Sequence, residues 1–292
     1  MMITGEIAAL TTACCWAIAA RMFQMLGAYF NPLALNLWKG ALAAGVLVLV
    51  TVLFPVQFTL SHTAMAWLVL SGVIGIGLGD TFFFRALNLI GDSQSILVAE
   101  TLAPILTALL AMVWINEWLT WQQWIGIALV IISVDVIIKL QKRDNTKLFS
   151  VTGYVYAAMA AVCQAVGAVI SRDILTTTGI DAANASLYRL LGGLAAIVVL
   201  MLVLKRSFKP ARPLGRKGVK LLLWATLLGT FAALYLQMVA FANTKAAIVQ
   251  TLFATSVILS LFVAKWLGEK VDKRTFIWSF LALLGVSVLI LS

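Results

Sequence analysis

Histidine occurs once in the 292 residues, cysteine three times and proline five times, and only 11% of positions carry a formal charge. Each scarcity excludes something. With His62 as the single imidazole, expected in a loop, no histidine-based metal cluster can be assembled. Cys14, Cys15 and Cys163 stand in apolar stretches, with neither the spacing of a zinc site nor the pairing of a disulfide framework, and read as packing residues. No nucleophile lies near a base, so there is no catalytic residue to name and no enzyme is expected. A soluble domain carries about 25% charged residues, and this chain is far below that.

What is abundant is apolar surface: 63% of residues are hydrophobic and the mean hydropathy is +1.05. Such a chain needs a bilayer as its solvent. A helix crosses the hydrocarbon core in roughly 20 apolar residues. Punctuation by Pro, Gly and charge places ten spans near 4–26, 32–54, 64–88, 93–115, 121–139, 151–172, 182–204, 218–241, 246–267 and 274–291. MMITGE lacks the basic residues and the cleavage site of a signal peptide, so the first apolar run reads as span one. The net charge of +10 sits between spans and does not point to nucleic acid.

The chain repeats itself. Thr4-Gly5 and Cys15 match Thr152-Gly153 and Cys163 at an offset of 148, Asn36-Leu37-Trp38-Lys39 matches Ser186-Leu187-Tyr188-Arg189 at 150, and Trp114 and Glu117 match Trp266 and Glu269 at 152. The expected organisation is a five-helix unit over residues 1–139, a polar linker over 140–150 and a second unit over 151–292. A duplicated unit with an odd number of spans re-enters from the opposite side. The fold expected is therefore all-α and polytopic, ten transmembrane helices in two inverted repeats, a plan shared by many secondary transporters.

Basic residues fall unevenly, 18 on the side holding loops 139–150 and 205–220 and 3, Arg172, Arg189 and Lys245, on the other. The positive-inside rule makes the first side cytoplasmic and puts both termini outside. Short loops and this bias are expected of a prokaryotic inner-membrane protein.

Residues 99–138, AETLAPILTALLAMVWINEWLTWQQWIGIALVIISVDVII, resemble the end of a repeat of the EamA-type carriers of the drug/metabolite transporter superfamily. They hold a Pro-containing fourth helix, a Glu at the following turn and a fifth helix entered through a Gly. Residues 249–291 repeat the pattern more weakly, with Ser256 at the proline position and Trp278 at the glycine position while Glu269 is kept. The resemblance covers nearly the whole chain and implies a ten-span carrier of small molecules. Many members have cytoplasmic termini, whereas the charges here argue for the reverse.

Polar groups inside the bilayer are costly and are candidates for function. Lys39 and Arg189 occupy equivalent repeat positions about 12 Å into their spans at 1.5 Å per residue, suited to an anionic substrate group, to snorkelling or to structural pairing with a carboxylate. Glu100 sits inside span four one turn before Pro104. Low dielectric disfavours its charged form, as proton coupling requires; it could equally bind a substrate ammonium or neutralise Lys39 or Arg85. Asp80, five residues before Arg85, is a second proton-coupling candidate as a cavity carboxylate, or the partner of a cytoplasmic-end cation. Asp135 is placed to pair with Lys139, and Glu117 and Glu269 to cap or pair at turns. Trp16, Gln164, Tyr235, Gln237 and Gln250 lie on spans that the resemblance makes cavity-lining. Trp114, Trp118, Trp121, Trp124, Trp266 and Trp278 read as interfacial anchors, and the run Gly72 to Gly79 as close packing or a hinge.

The function expected is secondary active transport of a small metabolite, an amino acid or related zwitterion, by alternating access, with protons as coupling ion. The alternatives are exchange of anionic or phosphorylated metabolites and, in a different class, lipid handling. The partners are a small-molecule substrate and the lipid bilayer. No cofactor, metal or nucleic acid is called for.

Overall fold

The computed structural model describes residues 3–55, 61–140, 150–266 and 273–292. Among them every regular element is helical. Nine helices are long and apolar enough to cross a membrane, and a tenth apolar helix, Ala246–Ser260, is shorter. We number them α1 (Ile3–Leu26), α2 (Pro32–Leu53), α3 (His62–Ile90), α4 (Asp92–Trp114), α5 (Trp121–Leu140), α6 (Val151–Thr178), α7 (Ala182–Val203), α8 (Arg216–Asn243), α9 (Ala246–Ala254 continuing as Ser256–Trp266) and α10 (Lys273–Leu291). The linker residues 141–149 and Glu269 lie outside the described residues.

Local chemistry sets the boundaries. Asn31 caps α2, its side-chain oxygen accepting from the Ala34 N–H at 2.9 Å ahead of Pro32, whose fixed φ suits the first turn. Asp181 caps α7 by accepting from Ala183 and Asn184. Helix α6 runs on to Thr178, past the charged pair Arg172-Asp173 where a span end was expected. The hydroxyls of Thr176, Thr177 and Thr178 bond back to carbonyls one turn earlier, and Gly179 ends the helix at φ +65°.

Two irregularities match across the halves. Helix α3 widens into a π-helical turn at Val73–Leu78, and α8 does so at Leu227–Ala232, an offset of 154. In the ninth helix the chain breaks at Thr255, where both the hydroxyl and the N–H of Thr255 turn back onto the Leu252 carbonyl. The aligned Pro104 leaves α4 helical throughout. The half without the proline is thus the interrupted one.

The halves interlock. Helix α3 packs on α6 and, in the mirrored pairing, α1 packs on α8; α4 packs on α6 and α1 on α9; α2 crosses α7 and α5 crosses α10. Gly5 at the start of α1 abuts Thr244 at the end of α8, whereas Gly153 at the start of α6 abuts Leu89 and Ile90 at the end of α3. Equivalent helices therefore enter from opposite faces. Glycine makes the closest crossings possible: a Cβ on Gly72 would run into the Arg189 carbonyl, one on Gly192 into the Val69 carbonyl, and one on Gly126 or Gly285 into the other's helix. The Gly72 to Gly79 run thus combines close packing with the π-turn. Trp114, Trp118, Trp121 and Trp266 are exposed near helix ends as interfacial anchors should be, but Trp124 and Trp278 pack against the core. Cys15 and Cys163 are buried and unpaired, while Cys14 points outward.

Candidate functional site

A cavity of about 330 Å³ lies between the halves, lined by α1 to α4 and α6 to α9 but not by α5 or α10. The polar residues reach it from caps and irregular turns. The Asn31–Pro32 cap sets the phase of α2, so that Asn36 and Lys39, three residues apart on one face, point inward. The π-turn of α3 carries Gly75 and Ile76 to the wall, with Gly79 and Asp80 just beyond it; the matching turn of α8 brings Gly229 and Thr230. Such turns recur at functional sites because the wider turn re-aims side chains.

The cationic wall is built around Asp80. Its carboxylate accepts from the Asn36 amide at 2.6 Å and interacts electrostatically with both Lys39 and Arg189. The Lys39 ammonium also stands 5.2 Å from the centre of the Phe23 ring. Arg189 is 2% exposed; Nη1 donates to Ser171 Oγ at 2.6 Å and to the Gly167 carbonyl at 3.3 Å, while Nε has no partner. Its other terminal nitrogen fits because Gly75 and Gly167 have no side chains; a Cβ there would approach it to 3.1 and 3.4 Å. The two repeat-related cations thus line the same cavity, and the charge of Asp80 acts on both.

Glu100 lines the cavity from α4 beside Ala99 and Ala103. It has no hydrogen-bond or ion-pair partner among the described residues. Pro104, lacking an N–H, leaves the Glu100 carbonyl without its helical donor. The remaining lining is aromatic and amide: Trp16 meets Phe253 edge to face at 5.0 Å, and Gln164, Gln237 and Gln250 complete the wall.

Seven of the eight residues expected to bind substrate therefore converge, together with Asp80. Tyr235 does not. It is 39% exposed on the outside of α8, because its neighbours Leu234 and Gln237 face the cavity and Tyr235 points the other way at 100° per residue. Asp80 is not the partner of Arg85, whose guanidinium instead donates to the Tyr156 hydroxyl at 3.2 Å and stacks on that ring. Nor does Glu100 pair with Lys39 or Arg85. Asn36 and Thr230 were missed, although Asn36 begins the repeated Asn36-Leu37-Trp38-Lys39 segment. No group of acids, cysteines or histidine that could hold a metal occurs among the described residues.

At the face where the termini lie, the halves are tied by a polar knot. Glu117, in the α4–α5 turn, accepts from Arg172 Nε at 2.9 Å and from the Ala246 N–H at 2.8 Å. It thus caps α9 rather than the helix that follows it in sequence. Arg172 also donates to the Phe241 and Ala242 carbonyls at 2.6 and 3.0 Å, satisfying the end of α8. Lys245 donates to the Trp118 carbonyl at 2.6 Å and to Gln123 at 3.1 Å. Asp135 and Lys139 pair at 2.7 Å as their spacing requires.

Residues 3–139 and 151–291 both match the EamA-like transporter family. A protein of Bacillus subtilis (strain 168) described as an uncharacterized transporter, YyaM, is 25% identical over 202 residues, 68% of this chain and 63% of that protein's length. A solved structure titled only as the crystal structure of a protein superposes with a TM-score of 0.82 over 98% of both chains at 20% identity, which is a likeness of fold. With both halves matched, a ten-helix apolar scaffold and a polar cavity between the halves, the chain belongs to the EamA-like transporter family.

Proposed function

We propose that this protein is a secondary carrier of a small zwitterionic metabolite of the amino-acid class, bound in the cavity between the two repeats and released by alternating access. One observation carries the substrate class: the cavity is electrically divided. Lys39 and Arg189 line the cavity with Asp80 as the acid whose charge acts on both, leaving that wall short of negative charge among the described residues, whereas Glu100 stands on α4 paired with neither cation. A cargo with a carboxylate and an ammonium fits both. Trp16 and Phe253 offer an apolar surface to its side chain, and Gln164, Gln237 and Gln250 offer hydrogen bonds.

Glu100 is also the group we assign to proton coupling, since an unpartnered cavity carboxylate can exchange its charge for that of the cargo's ammonium. The Glu117–Arg172–Lys245 knot supports alternating access. It bridges the halves on the terminal face, so the cavity opens there only once the knot parts. We place that face outside the cell and the 205–220 loop in the cytoplasm, on the charge asymmetry of the loops.

The test is uptake of a labelled amino-acid panel by proteoliposomes with and without an imposed pH gradient, for the wild type and Glu100→Gln. Gradient-driven accumulation that Glu100→Gln abolishes, with exchange retained, is the expected result. No uptake of any amino acid refutes the substrate class; accumulation unchanged by Glu100→Gln refutes the coupling role.

A further inference from the structure

The segment from Lys205 to Lys220 joins α7 to α8 and holds seven cations and no acid. All seven are exposed, and none has an acidic partner among the described residues. An unneutralised run of this kind is usually a solvated, loose loop. Here the chain is held in place. Helix α7 ends in a Schellman turn, with the Lys205 N–H bonding the Leu202 carbonyl and the Arg206 N–H bonding the Met201 carbonyl, at 3.2 and 2.8 Å. The position that glycine normally takes is filled by Lys205 at φ +50°. A cation is thus kept where backbone sterics favour its absence.

The loop then crosses the α1–α2 corner and is fastened to it. The Tyr29 carbonyl accepts from Ala211 N–H at 2.7 Å, the Asn31 amide donates to the Ser207 carbonyl, and the Trp38 indole N–H donates to the Phe208 carbonyl at 2.9 Å. Trp38 is itself on the lipid-facing side of α2, 42% exposed. A tryptophan with its ring toward lipid and its N–H toward a polar loop marks the headgroup level. The loop backbone is thereby held against the α1–α2 corner beside Trp38, with its cations exposed. Arg216 and Lys217 follow in the first turn of α8, where the helix dipole also attracts anions and repels cations.

We propose that this fastened basic loop is a binding surface for anionic phospholipid headgroups of the adjacent leaflet, phosphatidylglycerol being the simplest such lipid. Charge complementarity and depth favour lipid over a soluble anion: the cations line one membrane face, and all of them are exposed. The proposal is independent of the cargo and of coupling.

The test uses the full chain with Cys14, Cys15 and Cys163 changed to Ala, a fluorophore attached at Ala211→Cys, and nanodiscs of phosphatidylcholine containing about a third phosphatidylglycerol. Quenching by spin-labelled phosphatidylglycerol is compared with quenching by spin-labelled phosphatidylcholine. A cation at an anionic surface is worth roughly fivefold in local partition, so a preference of roughly tenfold or more is expected. It should vanish when all seven cations from Lys205 to Lys220 are changed to Gln and survive when Lys and Arg are exchanged for one another. The wild type supplies a control that needs no variant: at about 1 M salt, where the Debye length is about 3 Å, the preference should also vanish. Equal quenching by the two lipids, persistence at high salt, or displacement by millimolar inorganic phosphate would each overturn the proposal.

Discussion

The polar knot on the terminal face makes the sharpest prediction, because its loss should act on one conformation only. Glu117 and Arg172 retain 11% and 15% of their side-chain exposure and join the first half to three elements of the second. Removing one partner of a fully buried pair costs about 3–5 kcal/mol, since the other is left uncompensated, and this part-buried pair belongs at the lower end of that range. When the cavity opens toward this face the same groups meet water, so most of that cost falls on the closed arrangement. At 1.4 kcal/mol per factor of ten, Glu117→Ala should shift the balance toward opening at this face by about 10²–10³-fold. The assay is the reactivity of a single cysteine at Gln250, a cavity residue 8% exposed, in a protein otherwise free of cysteine. A membrane-impermeant thiol reagent is applied from each side in turn. Labelling from the terminal face should accelerate about a hundredfold, within that range, and labelling from the opposite face should slow. If Glu117→Ala and Arg172→Ala both fold yet leave the two rates at wild-type values, the knot does not hold the halves together and the reasoning fails.

Two further outcomes follow from packing and from the direction each side chain takes. Gly72→Val must push a side chain into the Arg189 carbonyl, at a cost of about 3 kcal/mol or more; the yield of monodisperse protein should collapse, while Gly45→Val, where open space is available, should leave it unchanged. Tyr235→Leu should leave uptake of whichever substrate is found intact, whereas Gln237→Leu, two residues away and inside the cavity, should raise KM severalfold; a larger effect at Tyr235 would show that the wall of α8 has been assigned to the wrong side.

Much of the site was legible because the repeat is legible. Lys39 and Arg189 match at the repeat offset of 150, and both reach the cavity. Glu100 is legible as a carboxylate inside an apolar span, one turn before Pro104, and it lines the cavity. Tyr235 was misplaced because a span polar on one side and lipid-facing on another leaves its phase open by a residue, and one residue turns a side chain by 100°. The π-turns compound this, since each shifts the helical phase within its helix. Asp80 shows the other limit: proximity in sequence pointed to Arg85, but the extra width of the turn before it directs the carboxylate to Asn36 on a different helix.

The amino-acid order by itself determined the solvent, the number of apolar segments, their duplication and the reversal of the second copy, because hydropathy, charge and an odd number of crossings are properties of the chain taken one stretch at a time. Only the tertiary structure decided which partner each buried charge has. Asp80 finds Asn36 and two cations, Arg172 closes over Glu117 and the end of α8, and glycines let Arg189 lie against bare backbone. In a low dielectric a charge is tolerated where several elements converge on it, and that convergence is set by how the helices cross.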